Sequence, residues 1–322
     1  MLLAMKIGIV GCGALGSYYG AKLCRDHQEV HFLLRSDYEV VRRRGVTIRS
    51  KDGDFNARPK CARTPENIGI CDLVVIGLKT TANDQFANLL PPLLAPDTAV
   101  LTLQNGLGNE EKLAQHVPGE QIMGGLAFVC LNRVAPGVVH HIDHGNIVIG
   151  EFRRWPEPRT HDIATMFRHA GVPCDVTDNL ARAHWEKLTW NIPFNGLGVA
   201  SCAGFEAFAG KATARRLQSC LTTDKLLQDA KWSAVVRELM HEVIAAARGL
   251  GFDLPDSLAD KQIERTLTMG AYKPSTVLDF ENGLPLELDA LFAEPLRQAQ
   301  IAKVVTPRLA NLCRVLGELS GR

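Results

Sequence analysis

Apolar positions in the first third of the chain fall into short runs, with longer amphipathic stretches between them. "KIGIV" from Lys6, "EVHFLL" from Glu29, "DLVVIGL" from Asp72 to Leu78 and "AVLTL" from Ala99 to Leu103 are short and mostly apolar, and each reads as a strand. Helical spacing resumes from about Leu15 and again from about Asp37 to Arg44, and Thr81–Leu90 is helix-compatible. Strands that alternate with helices predict a parallel sheet covered by helices on both faces.

From Gly124 to Phe152 the pattern changes. "LAFVCL", "GVVHHI" and "NIVIGE" are divided by Pro-Gly and His-Gly turn signals, which predicts three short antiparallel strands extending the sheet. Beyond about Arg182 strand-like runs almost vanish. The stretch "ARRLQSCLTTDKLLQDAKWSAVVRELMHEVIAAARGLG" reads as helix, with Gly249 and Gly251 as stop signals. The expected division is an α/β domain over residues 1–181 and an all-helical domain over residues 182–322.

A chain of 322 residues, 46% of them hydrophobic, is long enough for two cores. The net charge is only +1, and the basic residues gather only at Arg42–Arg44, so no nucleic-acid partner is expected. Nine isolated cysteines with no CxxC pair suit reduced thiols in a cytoplasm better than disulfides or zinc. "MLLAM" runs straight into a strand pattern, so neither a signal peptide nor a membrane span is expected. "HHIDH" holds His140, His141 and His144, but neighbours on a strand face opposite ways, so no metal site is expected there.

The glycines change the picture from fold to chemistry. Gly11, Cys12, Gly13, Ala14, Leu15 and Gly16 form GxGxxG between an apolar strand and a helix, the context that gives this spacing meaning. Gly11 permits the tight turn, Gly13 lets backbone approach a pyrophosphate, and Gly16 lets helix and strand pack closely. The helix N-terminus then offers N–H groups to the phosphates. A Rossmann-like dinucleotide site is the consequence.

At the end of the second strand, where NAD enzymes place an acidic residue, stands Arg35. Its guanidinium matches a ribose 2′-phosphate and favours NADP; a solvated Arg35 with Asp37 on the ribose keeps NAD as the alternative. Lys79 ends the next strand and is a second phosphate contact. Asn105 follows "AVLTL" at the same edge, where its amide suits a nicotinamide or a substrate carbonyl.

In "WEKLTWNIPFNGLG", Lys187, Asn191 and Asn195 recur every four residues and would share one helix face. An ammonium can protonate a ketone oxygen as hydride arrives at carbon, although spacing alone fits a solvated lysine equally. Pro193 should bend this helix before Asn195. "PSTVLDFENGLPLELDAL" carries Ser275, Asp279 and Glu287 on a loop followed by a helix.

"KIGIVGCGALGSYYGAKL", "LLR", "IGLK", "QNGLG", "PGVVHH", "WEKLTWN" and "PSTVLDFENGLPLELDAL" occur in the order found in the ketopantoate reductase family, and almost the whole chain resembles it. The resemblance implies NADPH-dependent reduction of 2-dehydropantoate to pantoate, the precursor of pantothenate and coenzyme A. Lys187 then matches the family's proton donor. Asn105 would touch cofactor and substrate, Asn191 and Asn195 would hold the substrate, and Ser275 would hold its carboxylate end. Glu287 matches the acidic residue near the nicotinamide ribose and the lysine, and Cys130 falls where an alanine often lines the cofactor site. The active site is expected between the two domains.

The chain departs from the family at "SCAGFEAF" and "GAYKP", which lack expected substrate asparagines, at "STVLD" in place of "SM.QD", and in lacking the usual proline after the second asparagine. Alternatives are a reductase of another 2-keto acid, an opine-type or glycerol-phosphate-type dehydrogenase, and a non-catalytic NADP-binding sensor. The partner expected is a small-molecule 2-keto acid, with no nucleic acid or membrane, and a homodimer is left open.

Overall fold

The structure, a computed structural model, describes residues 4–321. They divide into two compact units, residues 4–105 with 109–180, and residues 106–108 with 181–321.

The first unit is built on one sheet. Its strands are β1 (Lys6–Val10), β2 (Glu29–Leu33), β3 (Val46–Ser50), β4 (Phe55–Ala57), β5 (Lys60–Ala62), β6 (Leu73–Ile76), β7 (Ala99–Thr102), β8 (Ile122–Ala135), β9 (Val138–Glu151) and β10 (Cys174–Val176). The spatial order is β4-β3-β9-β8-β7-β6-β1-β2-β5, with β10 added beside β9. From β5 to β8 every pairing is parallel; β8 with β9 and β3 with β4 are antiparallel. The chain winds outward through β2 and β5, then returns to lay β6, β7 and β8 on the other side of β1. Strand order therefore reverses between β1 and β6, where carboxyl ends diverge and ligands bind in such sheets.

Helices α1 (Ala14–Arg25), α2 (Tyr38–Arg44), α3 (Phe86–Leu89), α4 (Asn109–Leu113) and α5 (Pro158–His169) complete this unit. Alternate residues of the central strands enter separate cores. Leu73 and Val75 of β6 pack on one face with α1 and α5, and Val74 and Ile76 pack on the other with Phe86 and Leu90. Burial on both faces is why "LVVI" is apolar throughout.

The second unit is helical: α6 (Leu180–Ala200), α7 (Phe205–Phe208), α8 (Thr223–Gln228), α9 (Ala230–Gly249), α10 (Ser257–Leu267), α11 (Ser275–Glu281), α12 (Glu294–Ile301) and α13 (Pro307–Leu319), with a π-helical turn at Asp289–Ala293. Its core gathers Trp185, Ile192 and Phe194 of α6, Leu239 and Val243 of α9, and Leu312, Val315 and Leu316 of α13. Asp229 caps α9, its carboxylate accepting from the Lys231 and Trp232 N–H groups.

Three expectations are corrected. The three short strands after Gly124 are two long ones, because "GVVHHI" and "NIVIGE" join in β9 through an irregularity where His144 has φ 60° and Gly145 φ 130°. Thr81–Leu90 is not one helix: a 3-10 turn spans Thr80–Gln85 with Ala82 off helical geometry, and only Phe86–Leu89 is α-helical. The helical stretch from Ala214 starts only at Thr223, after an irregular segment. Pro193 lies within α6, which continues to Ala200, and residues 191–200 are all buried.

Candidate functional site

The turn after β1 is shaped by what a Cβ would meet. Gly11 has φ +100°, and a Cβ there would collide with the backbone of Gly77 and Leu78. A Cβ at Gly16 would strike the Gly11 carbonyl, so helix and strand touch there without side chains. Gly13 differs: it is exposed, and a Cβ would meet nothing within 4 Å. Nothing inside the protein asks for glycine at this position, and its backbone is left open to approach from outside. Gly13 is also the N-cap of α1; no side chain caps that helix and its first turn has no acidic residue. Open backbone at an uncapped helix N-terminus fits the pyrophosphate of a dinucleotide.

Ala14 and Leu15 open α1. Cys12 bonds through Sγ to the Ile9 carbonyl at 3.5 Å, and burial pushes its thiol well above the ordinary range, so it stays protonated beside the turn. Arg35 follows β2, Lys79 follows β6 and Asn105 follows β7, which places all three at the carboxyl edge that carries the glycine turn. Arg35 and Lys79 are exposed, whereas Asn105 is half-buried. Cys130 is buried in the part of β8 that runs on beyond its pairing with β7.

Asp37 is committed elsewhere. Its carboxylate accepts from the Arg133 guanidinium, from the Gly137 N–H at 3.0 Å and from the Ser36 hydroxyl at 3.0 Å. Burial alone would raise its pKa, but these donors bring it below the ordinary carboxylate range. A carboxylate so occupied is poorly placed to take a ribose diol.

In the helical unit the uninterrupted α6 puts Lys187, Asn191 and Asn195 on one face. Lys187 is half-buried, and Asn191 and Asn195 are buried. Desolvation pulls the Lys187 ammonium down to about 7, while the Glu287 carboxylate, itself buried, pulls back upward. A lysine held near neutrality can give up a proton at physiological pH, which a solvated lysine does poorly. Glu287 sits just before the π-helical turn, its carbonyl accepting from the Leu291 N–H at 3.2 Å. Asn195 Oδ1 accepts from the Thr276 N–H at 3.1 Å, which ties α6 to the first turn of α11, where Ser275 is exposed.

Within "HHIDH", His141 has a structural part. His141 is fully buried, with Nδ1 bonded to Ser50 Oγ and Nε2 to the His144 carbonyl, each at 2.8 Å. Among the described residues no group of three or more His, Cys, Asp or Glu side chains is placed to hold a metal, and no helix is long and apolar enough to cross a membrane.

Two buried asparagines near Asn105, Asn83 and Asn109, escape sequence reading, since polar residues in loops carry no periodicity; only the three-dimensional contacts single them out.

Residues 7–154 match the family described as ketopantoate reductase PanE/ApbA, and residues 217–320 match its C-terminal counterpart. A Nostoc protein named 2-dehydropantoate 2-reductase is 39% identical, the alignment covering 98% of this chain and 96% of the relative. The crystal structure of 2-dehydropantoate 2-reductase from Geobacter metallireducens GS-15 is 44% identical, with a TM-score of 0.87 over 96% of this chain and 98% of that one. The enzyme of the same name from Methylococcus capsulatus is 31% identical with a TM-score of 0.84, covering 96% and 95% of the two chains. With the glycine turn, the cationic sheet edge and the desolvated lysine on one chain, these likenesses have one meaning: the chain belongs to the ketopantoate reductase family.

Proposed function

We propose that this chain reduces 2-dehydropantoate to pantoate with NADPH. The observation that carries the reading is Lys187, whose ammonium is desolvated to a pKa of about 7 beside the buried Glu287. When bound, the cofactor supplies the hydride that reaches the keto carbon. Lys187 gives its Nζ proton to the carbonyl oxygen as negative charge builds there, and its residual positive charge stabilises that oxygen beforehand. Glu287 keeps a sufficient fraction of the lysine protonated at neutral pH. Asn191 and Asn195 orient the substrate's polar groups, and Ser275, exposed at the start of α11, receives its carboxylate end.

Residues 1–181 hold the cofactor in this reading, and residues 182–322 supply the acid and the substrate contacts. Gly11, Gly13 and Gly16, with Cys12, Ala14 and Leu15, cradle the pyrophosphate; Arg35 and Lys79 take the phosphate charges; Asn105 and Cys130 serve the nicotinamide end, and Glu287 is the cofactor contact carried by the helical unit. The commitment of Asp37 to Arg133 supports NADPH over NADH. None of the nine cysteines is in a disulfide, which supports action in a reducing cytoplasm.

A second reading, reduction of a bulkier and less polar 2-keto acid, is favoured by one cluster. Trp190 stacks near Phe194 and Tyr272, with ring centroids at 5.1 and 6.3 Å, where "GAYKP" lacks an expected asparagine. A panel of 2-keto acids followed by NADPH absorbance decides between the two. The expected result is fastest turnover with 2-dehydropantoate; turnover of another keto acid and none of this one would overturn the assignment.

A further inference from the structure

Four polar side chains lie under the carboxyl edge of the sheet with almost no exposure: Thr102 and Asn109 at 1%, Gln104 at 5% and Asn83 at 6%. Burying such groups is costly unless every donor and acceptor is paired. Here they form one continuous chain. The Thr102 hydroxyl donates to Gln104 Oε1 at 3.0 Å, and Gln104 Nε2 donates to Asn83 Oδ1 at 2.7 Å. Asn83 Nδ2 donates to Asn109 Oδ1 at 3.1 Å, and Asn109 Nδ2 donates to the Asn105 backbone carbonyl at 3.1 Å.

The direction of this chain is dictated by its last member. A backbone carbonyl can only accept, so Asn109 must present its NH₂ to Asn105 and its oxygen to Asn83. Asn83 must then offer its NH₂, which leaves its oxygen for Gln104, and the Gln104 oxygen takes the hydroxyl proton of Thr102. Aligned in one sense, the bonds polarise one another. The chain also spans two loops of the edge, since Asn83 lies in the turn that follows Lys79, and Asn109 opens α4 just beyond Asn105.

We propose that Asn83, Gln104 and Asn109 are positioning residues that fix Asn105 relative to the Lys79 turn, and so set the Asn105 amide against the reacting end of the cofactor and the keto acid. This rests on the reading of Asn105 as a cofactor and substrate contact. The residues do not touch substrate; they act by holding the Asn105 backbone in one place and one orientation. An apolar filling of the same space would pack as well but would leave the Asn105 carbonyl without this donor.

The discriminating variant is Asn83→Asp. Its carboxylate accepts from Gln104 as before and also from Asn109, whose amide must turn over and face its oxygen to the Asn105 carbonyl. Only the final bond is lost, although the changed residue is remote from the chemistry. Asn109→Asp breaks the same bond directly, and the uncharged Asn109→Ser serves if either acidic variant is insoluble. The expected result is a fall in kcat of at least tenfold in each, with the Kd for NADPH from nicotinamide fluorescence within threefold of the parent. In an Asn105→Ala background the same changes should cost less than twofold, because the side chain they position is gone. Variants that keep kcat within twofold, or that lose tenfold in the Asn105→Ala background too, would overturn the inference while leaving Asn105's own role intact. If Asn105→Ala alone keeps kcat within twofold, the reading of Asn105 falls, and the positioning role with it.

Discussion

At Gly13 the molecule leaves room, and at Lys187 it takes water away. The first region is made of backbone: an exposed glycine, an uncapped helix end and the strand carboxyl ends where the sheet order reverses. The second is made of side chains whose environment shifts their chemistry, a lysine lowered to about 7 and a buried glutamate that opposes the shift. Binding charge by backbone needs space and dipoles but no unusual pKa. Moving a proton needs a group poised near the working pH, which burial supplies. The difference teaches that the two regions fail differently, one when atoms are added and the other when charge is removed.

The largest effect is expected at the lysine. Lys187→Ala should lower kcat by about 10³-fold, in the range of a lost general acid, with NADPH still bound. Because the acid works only while protonated, kcat/KM should be level below about pH 7 and fall about tenfold per unit above it. A profile that stays level to pH 9 would show that Lys187 is not the proton source.

Next comes the glycine turn, where the contrast can be broken within a few residues. Gly13→Val fills open space, so it should raise the NADPH KM by roughly 100-fold with an unchanged melting temperature. Gly11→Ala meets backbone at positive φ and should instead lower the melting temperature by several degrees, about 4 °C or more. Equal effects on stability would remove the distinction between a glycine kept for the fold and one kept for a ligand.

The smallest effect is at the edge of the cofactor site. Arg35→Ala should raise the NADPH KM by about tenfold, the worth of one charge-assisted hydrogen bond, and leave the NADH KM unchanged. An equal rise for both cofactors would show that Arg35 does not read the 2′-phosphate.

Sequence patterning made the parallel half of the sheet legible because β1, β2, β6 and β7 are apolar enough to announce burial. β4, β5 and β10 are three residues each, too short to carry a period, and β3 mixes Thr47 and Arg49 into its run. The hairpin was obscured by a turn signal at His144–Gly145 that lies inside a strand. Pro193 does not end α6, because the penalty for a mid-helix proline is local and residues 191–200 are buried all round it. Of the site, the glycine turn and Arg35 could be argued from spacing alone. Lys187 could not, since desolvation is a property of the packed unit and not of "WEKLTWN". The amide chain beneath Asn105 was invisible for the same reason: its Asn83 and Gln104 links join residues 21 positions apart, and Asn83 to Asn109 spans 26.

Leu107 carries a consequence for synthesis of the protein. Residues 106–108 interrupt the sheet-bearing segment of the chain yet belong with the helical unit, where Leu107 joins the core and its N–H bonds to the Ala290 carbonyl at 2.9 Å. As the chain leaves the ribosome, the strands on either side of this segment can pair long before Ala290 exists. Leu107 must therefore wait, apolar and unclaimed, until the last helices are made. Its placement belongs to the end of folding, when a loop of more than half the chain, from Leu107 to Ala290, closes.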